Sequence, residues 1–463
     1  MANRFMLPIR RKTSPEEVKV AAPAIQESPV AETVSDDAGQ TRALLDTKVK
    51  LHGKIIDEFN LALIDRMPHE ELLRQITGYV SDYVRNEHIP LNQKELEVFT
   101  EEVLDEMTGL GPIEPLLKDP SVNDILINTH SSVFVERGGQ LEKTAVRFKD
   151  EAHLLRIINK IVATVGRRVD ESSPMCDARL PDGSRVNIAV RPVAVDGPLV
   201  SIRKFSKRPY SMERLIDIGA LKPQMFELLK ASVYGRISII VSGGTGSGKT
   251  TMLNALSSYI SPRERLLTIE DAAELQLQQP HVARLETRPP SPEGKGEIRQ
   301  RELVKNALRM RPDRVIVGEC RGGEAFDMLQ AMNTGHEGSM TTIHANTPRD
   351  ALRRLEQMVG MAGFAMSELA IRQTIASAVQ LILQLQRMPD GKRRVVSVAE
   401  VTGMEGDVIQ MQEIYRYTRE GVDENGQVLG SFRATGVRPS FLAALKTMGF
   451  EFPPSVFDSS RPL

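Results

Sequence analysis

The sequence has few cysteines, no tryptophan and no excess charge of either sign. Its 463 residues include only Cys176 and Cys320, too few and too far apart for a disulfide framework or a C-x-x-C metal site. Lysine and arginine number 60 against 61 aspartates and glutamates, so composition gives no electrostatic footprint for nucleic acid, although local patches stay open. Few aromatic rings are available to stack on bases. We expect a reducing, cytoplasmic environment and no nucleic-acid partner.

Long apolar runs are also absent. Residues 1–12 are basic, but no apolar stretch follows them, which argues against a signal peptide. No uninterrupted apolar segment reaches the length that a membrane-spanning helix needs. We therefore expect a protein that associates with a membrane only through partners.

Changes in residue pattern divide the chain into five parts. Residues 1–40 are rich in Pro, Ala, Ser, Val and Glu without a period, which is typical of a flexible tail. Helical spacing of apolar residues predicts a bundle over 41–110, and mixed signals predict a smaller α+β domain over 111–205. A linker at 206–211 leads to an α/β domain at 212–463, which ends in a C-terminal appendage.

The predicted bundle contains three helices, with apolar residues recurring over 44–59, 72–83 and 96–107. Asn92 and Glu95 have the spacing of a capping pair that would begin the third helix, which ends near Gly109.

Short apolar runs mark the strands of both later domains. In the α+β domain we predict strands at 125–127, 133–135, 186–188 and 200–202, a helix over 153–165, and a hairpin turn at Gly138-Gly139. In the α/β domain we predict strands at 237–241, 266–269, 315–317 and 340–343. A hairpin around Asp390-Gly391 and further short polar strands would follow.

A phosphate-binding loop follows the strand that ends near Val241. The strand, the glycine-rich turn and the helix that starts at Lys249 have the spacing G-x-x-x-x-G-K-T, which directs backbone N–H groups and a helix N-terminus at phosphates. Lys249 would reach the β- and γ-phosphates, and the Thr250 hydroxyl would ligate Mg²⁺. The loop predicts binding of ATP or GTP through Gly243, Gly244, Thr245, Gly246, Ser247, Gly248, Lys249, Thr250 and Thr251.

Carboxylates follow two other strands of the same domain. Glu270 comes directly after one strand, and Glu319 follows another. Hydrolysis needs an oriented water and a held Mg²⁺, and acidic residues at strand ends commonly supply both. Either one alone could be a solvated acidic turn, but two in one nucleotide domain favour a shared site. The aspartate usual on the Mg²⁺ side is absent, because Gly318 stands in its place.

Histidine and arginine side chains supply further candidates. His344 ends a strand at the expected edge of the nucleotide sheet, whereas His336 is interpreted as a packing residue. Arg179, Arg185 and Arg203 lie upstream in the α+β domain. They could be solvated strand ends, or they could reach the γ-phosphate from a neighbouring domain, and periodicity does not choose between these alternatives.

Four ordered motifs together resemble those of a known family. They are Gly-Gly-Thr-Gly-Ser-Gly-Lys-Thr, Ile-Glu-Asp-Ala-Ala-Glu-Leu, Arg-Pro-Asp-Arg-Val-Ile-Val-Gly-Glu-Cys-Arg and Thr-Thr-Ile-His-Ala-Asn. These resemble the Walker A, Asp, Walker B and His boxes of the type II/type IV secretion ATPase superfamily. Segments 303–313, 318–324 and 333–339 resemble its CpaF/TadA branch, the motor ATPases of tight-adherence (Flp-type) pili. The resemblance extends from about Gly109 to the C-terminus.

The resemblance implies a homohexamer of α/β subunits. In each, a RecA-like P-loop ATPase domain follows a smaller α+β N-terminal domain and an all-α helical bundle, with ATP and Mg²⁺ bound where the α+β and ATPase domains meet. It makes Glu270 the catalytic carboxylate, Glu319 the Mg²⁺ or water partner and His344 a γ-phosphate contact. It also ranks Arg203 first among the arginines that would contact nucleotide, before Arg185 and Arg179.

By the same resemblance, the motor acts at the cytoplasmic face of the inner membrane. It would power pilus assembly through inner-membrane platform proteins. The sequence lacks the four-cysteine zinc module of many type II secretion ATPases. It also lacks the Ala-Ile-Arg-Asn-Leu-Ile-Arg-Glu segment of dedicated retraction motors. A conjugative or DNA-handling RecA-like motor and an ATP-gated docking switch stay open as alternatives, as does a second role in retraction.

Overall fold

The computed structural model describes residues 69–86, 88–89, 91–205, 209–290 and 295–463. The chain forms two compact units, Met1–Val103 and Leu104–Leu463. The predicted tail over 1–40 and the first predicted helix of the bundle lie outside the described residues. No helix in the described ranges is long and apolar enough to cross a membrane.

The second and third predicted helices of the bundle are confirmed. Helix α1 covers His69–Asn86 and α2 covers Gln93–Thr108. The predicted capping pair begins α2. The Asn92 side chain accepts a hydrogen bond from the Glu95 N–H at 3.0 Å, and the Glu95 carboxylate accepts one from the Asn92 N–H at 2.7 Å. These reciprocal bonds satisfy N–H groups that the helix itself leaves unpaired.

An antiparallel sheet of six strands follows, in the spatial order β3-β2-β1-β6-β5-β4. A helical turn and a short helix precede it, and one longer helix packs on it. The bounds are Gly111–Ile113 for the 3-10 turn, Glu114–Lys118 for α3, Val122–Thr129 for β1, Ser132–Arg137 for β2, Gln140–Lys143 for β3, Glu151–Thr164 for α4, Met175–Arg179 for β4, Arg185–Ala189 for β5 and Leu199–Arg203 for β6.

One face of this first sheet forms a core with α4. Alternate strand residues such as Ile125, Val186 and Ile202 are buried against Leu154 and Ile158 of the helix. The period of two sends the intervening residues to the opposite face, which is more polar. The predicted Gly138-Gly139 turn is confirmed, since it joins β2 to β3 with both glycines at positive φ.

A mixed sheet of nine strands forms the rest of the second unit, with helices on both faces. The bounds are Met212–Asp217 for α5, Pro223–Tyr234 for α6, Ile239–Gly243 for β7, Lys249–Ser257 for α7, Leu266–Glu270 for β8, Val282–Glu286 for β9, Gln300–Ala307 for α8, Arg314–Cys320 for β10, Glu324–Asn333 for α9, Met340–Ile343 for β11, Pro348–Gly360 for α10, Glu368–Ala378 for α11, Leu381–Arg387 for β12, Arg393–Glu405 for β13, Val408–Val422 for β14, Val428–Ala434 for β15, Leu442–Thr447 for α12 and Pro454–Phe457 for a 3-10 turn.

The strand order of this second sheet is β15-β14-β13-β12-β7-β11-β10-β8-β9. The six strands from β12 to β9 run parallel, and β13, β14 and β15 are antiparallel. Strands β7, β8 and β11 are buried along their whole length, as expected for parallel strands that are covered by helices on both faces. The parallel strands bring their carboxyl ends to one edge of the sheet. The mixed α/β class is therefore confirmed.

The structure differs from the prediction in the polar strands. Strands β4 and β9 were not predicted, because their exposed positions interrupt any apolar run. The hairpin around Asp390-Gly391 is confirmed between β12 and β13. The strands after it were predicted to be short, which is wrong: β13 and β14 have 13 and 15 residues and extend the central sheet. Their polar residues lie on partly exposed strands at the sheet margin.

Candidate nucleotide-binding site

The phosphate-binding loop joins the buried strand β7 to helix α7. Gly246 and Gly248 have φ of +67° and +95°, which side chains with a Cβ rarely adopt. A Cβ on Gly243 would lie 2.7 Å from the backbone oxygen of Leu385 in the neighbouring strand, so this position also requires glycine. The Ser247 hydroxyl donates to the Gly244 oxygen at 2.9 Å and closes the turn. The positive φ values and the Ser247 hydrogen bond are local constraints, which explains why the sequence motif alone predicted the loop, whereas the contact with Leu385 comes from the neighbouring strand.

Lys249 begins α7 and turns back over the loop. Its Nζ donates to the Gly244 oxygen at 3.1 Å and lies 4.0 Å from Oε1 of Glu319. Burial lowers the pKa of Lys249, the charges of Arg321 and Arg203 lower it further, and Glu319 opposes them. A cationic amine at this position can pair with phosphate oxygens.

Glu270 ends β8 and is almost fully buried, with 3% of its surface exposed. Its Oε1 accepts hydrogen bonds from the backbone N–H groups of Glu274 and Leu275 at 3.0 and 2.8 Å. No described residue donates to its Oε2. Burial raises the pKa of Glu270 to about 7, although those two N–H donors oppose the rise. The side chain can therefore exchange a proton near neutral pH through a free oxygen.

Gly318 makes room for that carboxylate. A Cβ at position 318 would lie 2.9 Å from Cγ of Glu270, closer than packed carbon atoms allow. The Thr342 hydroxyl of β11 donates to the Gly318 oxygen at 2.8 Å and fixes the backbone there. The missing aspartate noted in the sequence thus has a steric explanation.

Glu319 lies next along β10 and is held by Arg321, a residue that the sequence interpretation missed. Arg321 donates to Oε2 of Glu319 from Nη2 at 2.6 Å and from Nε at 3.0 Å. It also reaches Oδ2 of Asp271 at 3.1 Å. Arg321 thus links Asp271, which follows β8, to Glu319 near the end of β10. The sequence signal that could have identified Arg321 is its position two residues after Glu319.

The two histidines lie at opposite edges of the second sheet. His344 follows the carboxyl end of β11 and is exposed, at the same edge as the loop. His336 precedes β11 and so lies at the other edge, where no described residue bonds to its buried Nδ1. The structure therefore places His344, and not His336, at the nucleotide edge.

The three arginines of the first sheet are cross-strand neighbours. Arg179 of β4 pairs in register with Arg185 of β5, which pairs with Arg203 of β6, and Arg203 pairs with Asp124 of β1. Directly paired residues share one face of a sheet, and here it is the face opposite the core. The structure thus brings together three residues that are up to 24 positions apart in sequence.

The three arginines have different partners. Arg203 lies 3.7 Å from Asp124, and its charge contributes to the lowered pKa of Lys249. Arg185 lies 3.5 Å from Asp177. Arg179 donates to the Ala273 oxygen at 3.2 Å and pairs with Glu286 of β9 at 3.2 Å. Arg203 is therefore close enough for its charge to act on Lys249, whereas Arg179 connects the two sheets.

Two more arginines touch the loop from the β12–β13 hairpin, and the sequence interpretation missed both. Nε of Arg393 donates to the Gly246 oxygen at 2.8 Å. Nη1 of Arg387 lies 3.7 Å from the position that a Cβ on Gly246 would occupy. Strand β12 pairs with β7, so Arg387 lies beside the loop although 141 positions separate it from Gly246. Only strand order reveals this proximity.

The residues at this edge fit a nucleoside triphosphate with Mg²⁺. The loop is open beside Gly244, where a Cβ would meet nothing within 4 Å. The Lys249 amine lies next to this space, because it donates to the Gly244 oxygen. The partly exposed Thr250 hydroxyl and the Glu319 carboxylate supply hard oxygen ligands of the kind that Mg²⁺ prefers. The buried Oε2 of Glu270 has no hydrogen-bond donor among the described residues, so one strong acceptor at this edge is unused.

The chain is similar to known proteins over most of this region. The family described as "Type II/IV secretion system protein" matches residues 106–428. A Mycobacterium tuberculosis protein that is named for conjugal transfer is 39% identical over 309 residues, which cover 65% of this chain and 87% of that protein. The type IV secretion system protein VirB11 of Bartonella quintana is 31% identical, covering 66% of this chain and 96% of that protein.

A solved structure is also similar. The crystal structure of the VirB11 ATPase from the Brucella suis type IV secretion system, in complex with sulphate, is 30% identical, with a TM-score of 0.34, and covers 62% of this chain and 94% of that one. The family match spans more than half of the present sequence and includes the loop, both carboxylates and His344. This chain belongs to the type II/IV secretion system protein family.

Proposed function

We propose that this protein is an ATPase that converts ATP hydrolysis into mechanical work for a membrane-embedded pilus or secretion machine. One observation carries the proposal. A buried glutamate with a free oxygen and a pKa near 7, Glu270, ends a strand at the same sheet edge as a complete phosphate-binding loop. Phosphate binding alone needs no such group, whereas hydrolysis does.

The loop residues from Gly243 to Thr251 hold the phosphates. Backbone N–H groups and the start of α7 face them, and Lys249 exchanges its Gly244 partner for phosphate oxygens. Thr250 and Glu319 would hold Mg²⁺, which would supply positive charge against the phosphates. Arg321 keeps the Glu319 carboxylate oriented through two hydrogen bonds.

Glu270 orients the attacking water and accepts its proton. Its Oε1 is fixed by two backbone donors, so the free Oε2 has a defined direction. The alternative assignment, in which Glu319 abstracts the proton, is less well supported, because Arg321 and Lys249 neutralise that carboxylate. His344 and Arg203 would contact the γ-phosphate, and Arg185 and Arg179 lie beside Arg203 on the neighbouring strands of the first sheet.

The larger assembly follows from the motifs. We infer a homohexamer of RecA-like subunits at the cytoplasmic face of the inner membrane, coupled to platform proteins of a tight-adherence pilus. The support is the likeness of segments 303–313, 318–324 and 333–339 to that branch. Arg179, Arg185 and Arg203 form an arginine row across the first sheet. ATP would draw this sheet toward the loop through the arginine row, and hydrolysis would release it.

A conjugative or type IV secretion motor is the second candidate. The observation that favours it is the naming of relatives at 39% and 31% identity for conjugal transfer and type IV secretion. Disrupting the gene in its own host and scoring surface pili against plasmid transfer separates the two. Loss of pili with normal transfer supports the pilus motor, and the reverse supports the conjugative one.

The chemistry is tested by ATP turnover of the purified full chain. Glu270→Gln and Glu319→Gln are compared with the wild type and with Glu337→Gln, an exposed glutamate at the other edge of the sheet. We expect both site variants to bind ATP and to lose most turnover, with the control unchanged and DNA without effect. Binding without wild-type turnover would favour a docking switch, and strong stimulation by DNA would favour a DNA-handling motor.

A further inference from the structure

Two hairpin turns meet beside the phosphate-binding loop. The β2–β3 turn of the first sheet contains Gly138-Gly139, and the β12–β13 turn of the second sheet contains Asp390-Gly391. A Cβ on Gly139 would lie 3.4 Å from the Gly391 oxygen, so the turns are in direct contact. The first sheet therefore touches the nucleotide domain at a point separate from the arginine row.

Arg393 makes contacts in both directions at this junction. Its Nε donates to the Gly246 oxygen of the loop at 2.8 Å, while its Nη2 pairs with Oε1 of Glu136 in β2 at 3.4 Å. The Arg393 side chain is 36% exposed and that of Glu136 is 17% exposed. Its cross-strand partner Arg387 donates to the Gly139 oxygen of the same β2–β3 turn. One guanidinium thus joins the loop to the first sheet.

The contact continues across the first sheet to the arginine row. Glu136 of β2 pairs in register with Asp124 of β1, and Asp124 pairs with Arg203 of β6. Burial raises the pKa of Asp124, the charge of Glu136 adds to the rise, and Arg203 opposes it. A row of interacting charged groups therefore runs from Arg393 at Gly246 to Arg203 near Lys249.

We propose that Arg393 is a positioning residue of the nucleotide site, and that its pair with Glu136 transmits the conformation of the phosphate-binding loop to the first sheet. Gly246 lies in a left-handed conformation within the loop that must fit the phosphates. The planar guanidinium can hold the Gly246 oxygen and the Glu136 carboxylate at once, whereas a lysine amine is a point donor on a flexible stem. A shift of the loop on ATP binding then displaces Glu136 and, through Asp124, Arg203.

This inference rests on the proposed function, because ATP is the ligand whose binding would move the loop. The alternative is a purely structural clamp that holds the two turns together. The two differ in what they predict for nucleotide response. A clamp changes thermal stability alone, whereas a positioning residue changes KM, kcat and the response of the first sheet to nucleotide.

The test uses the full chain with the single variants Arg393→Ala, Arg393→Lys and Glu136→Ala. A double variant combines Arg393→Ala with Glu136→Ala. Lys392→Ala is the matched control, since it removes an exposed side chain from the same turn. Four quantities are measured: kcat for ATP, KM for ATP, the melting temperature, and hydrogen exchange of residues 132–143 with and without ADP.

We expect Arg393→Ala to raise KM about tenfold, the effect of losing one charged hydrogen bond. Arg393→Lys should recover part of this loss. Glu136→Ala should lower kcat with a smaller change in KM. ADP should alter hydrogen exchange of the β2–β3 hairpin in the wild type and in Lys392→Ala. It should not alter it in Arg393→Ala or in Glu136→Ala. The double variant should be no worse in kcat than the more affected single variant, because both interrupt one connection.

Several results would overturn the proposal. These are variants that lower only the melting temperature, additive losses in kcat, or a wild type that hydrolyses ATP with no exchange response in the hairpin. A wild type that shows the exchange response without turnover would refute the ATPase proposal and leave this inference intact. Should Arg393→Ala fail to fold, Arg393→Lys and Glu136→Ala decide the outcome on the same measurements.

Discussion

At the scale of single residues, the chemistry of this site depends on the environment of one carboxylate. Glu270 is removed from water, so its pKa lies near 7 and not at its ordinary value of 4.5. A base with a pKa near the working pH combines a useful ionised fraction with a real affinity for protons. The same burial costs stability whenever the group is charged.

The first prediction concerns the pH dependence of turnover. If ionised Glu270 accepts the proton from water, kcat/KM for ATP should rise with pH with a midpoint near 7 and level off roughly one pH unit higher, because this ratio reports the pKa of the free enzyme. Steady-state ATPase rates between pH 5.5 and 8.5 measure it. A kcat/KM that is already level from pH 5.5 upward would assign the role to a solvated carboxylate with an ordinary pKa. Glu270→Gln should leave a small residual rate without this midpoint.

The second prediction concerns stability. The folded-state pKa of Glu270 lies above its unfolded value, so the folded chain holds more protons between pH 4.5 and 7 and loses stability as pH rises through that window. The loss amounts to at most roughly 3 kcal/mol. Urea unfolding of wild type and Glu270→Gln at pH 5 and pH 8 measures it: the wild type should weaken relative to the variant at pH 8. Parallel pH profiles for the two proteins would contradict the buried assignment.

The third prediction follows from the close contact between Gly318 and Glu270. Gly318→Ala would push the Glu270 side chain from its place, since the new Cβ would lie 2.9 Å from Cγ. Misplacing a catalytic side chain by about 1 Å lowers kcat by about 10²-fold. We expect ATP binding to be retained. Turnover and fluorescent-nucleotide binding measure the two effects. Gly360→Ala is the control, because a Cβ there meets nothing within 4 Å, and equal activity of both variants would refute the steric account.

At the scale of helices and strands, the elements fixed by their own neighbours in sequence are the ones that could be predicted. The Asn92 capping pair, the Gly138-Gly139 turn and the phosphate-binding loop all depend on residues within eight positions of one another. Strands β4 and β9 could not be found, because their polar faces break the apolar run. Each takes its place by pairing with a strand next to it in the chain, β5 for β4 and β8 for β9, and not from an apolar pattern of its own.

The candidate site shows the same division. The loop, Glu270 and Glu319 follow from motifs, because each ends a strand with a recognisable apolar run. The contact between Arg393 and Gly246 depends on β12 lying beside β7, and no local pattern encodes that order. The row formed by Arg179, Arg185 and Arg203 likewise needs the strand register, in which a slip of one residue would turn the arginines into the core.

The fourth prediction concerns helix α4, which covers the core face of the first sheet. Asp150 precedes the helix, and its side chain accepts a hydrogen bond from the His153 N–H at 2.7 Å. Asp150→Ala should lower the free energy of unfolding by about 1 kcal/mol through loss of this cap. Denaturant unfolding measures the change. Asp150→Asn keeps an accepting oxygen and should recover most of the stability, and an equal loss in both variants would assign the effect to charge.

At the scale of the whole molecule, one buried ion pair ties together the edge of the second sheet that lies opposite the nucleotide. Arg314 is fully buried and binds Glu264 through two hydrogen bonds of 2.7 and 2.9 Å. The same guanidinium donates to the oxygen of Val233, in the last turn of α6, and to the oxygen of Gly338, just before β11. Four segments that are distant in sequence meet at this one side chain.

The fifth prediction is the cost of breaking that pair. Arg314→Met should lower the free energy of unfolding by about 3–5 kcal/mol, because it leaves Glu264 buried without its main partner. Arg236→Met removes the more exposed second partner of Glu264 and should cost about 1 kcal/mol or less. Chemical denaturation ranks the two variants. ATP turnover per folded molecule should stay unchanged in both, and a selective loss of kcat in Arg314→Met would show that the pair serves the site.

The order of strands also has a consequence for synthesis of the chain on the ribosome. Strand β7 is flanked by β11 and β12, which are made about 100 and 140 residues after it. A nascent chain that has exposed its phosphate-binding loop therefore lacks both neighbours of that strand and the guanidinium that holds Gly246. On the proposed function, we expect nucleotide to stabilise the domain only after residues up to 393 have emerged from the exit tunnel. Prematurely terminated products would consequently gain no protection from ATP and would be open to proteases.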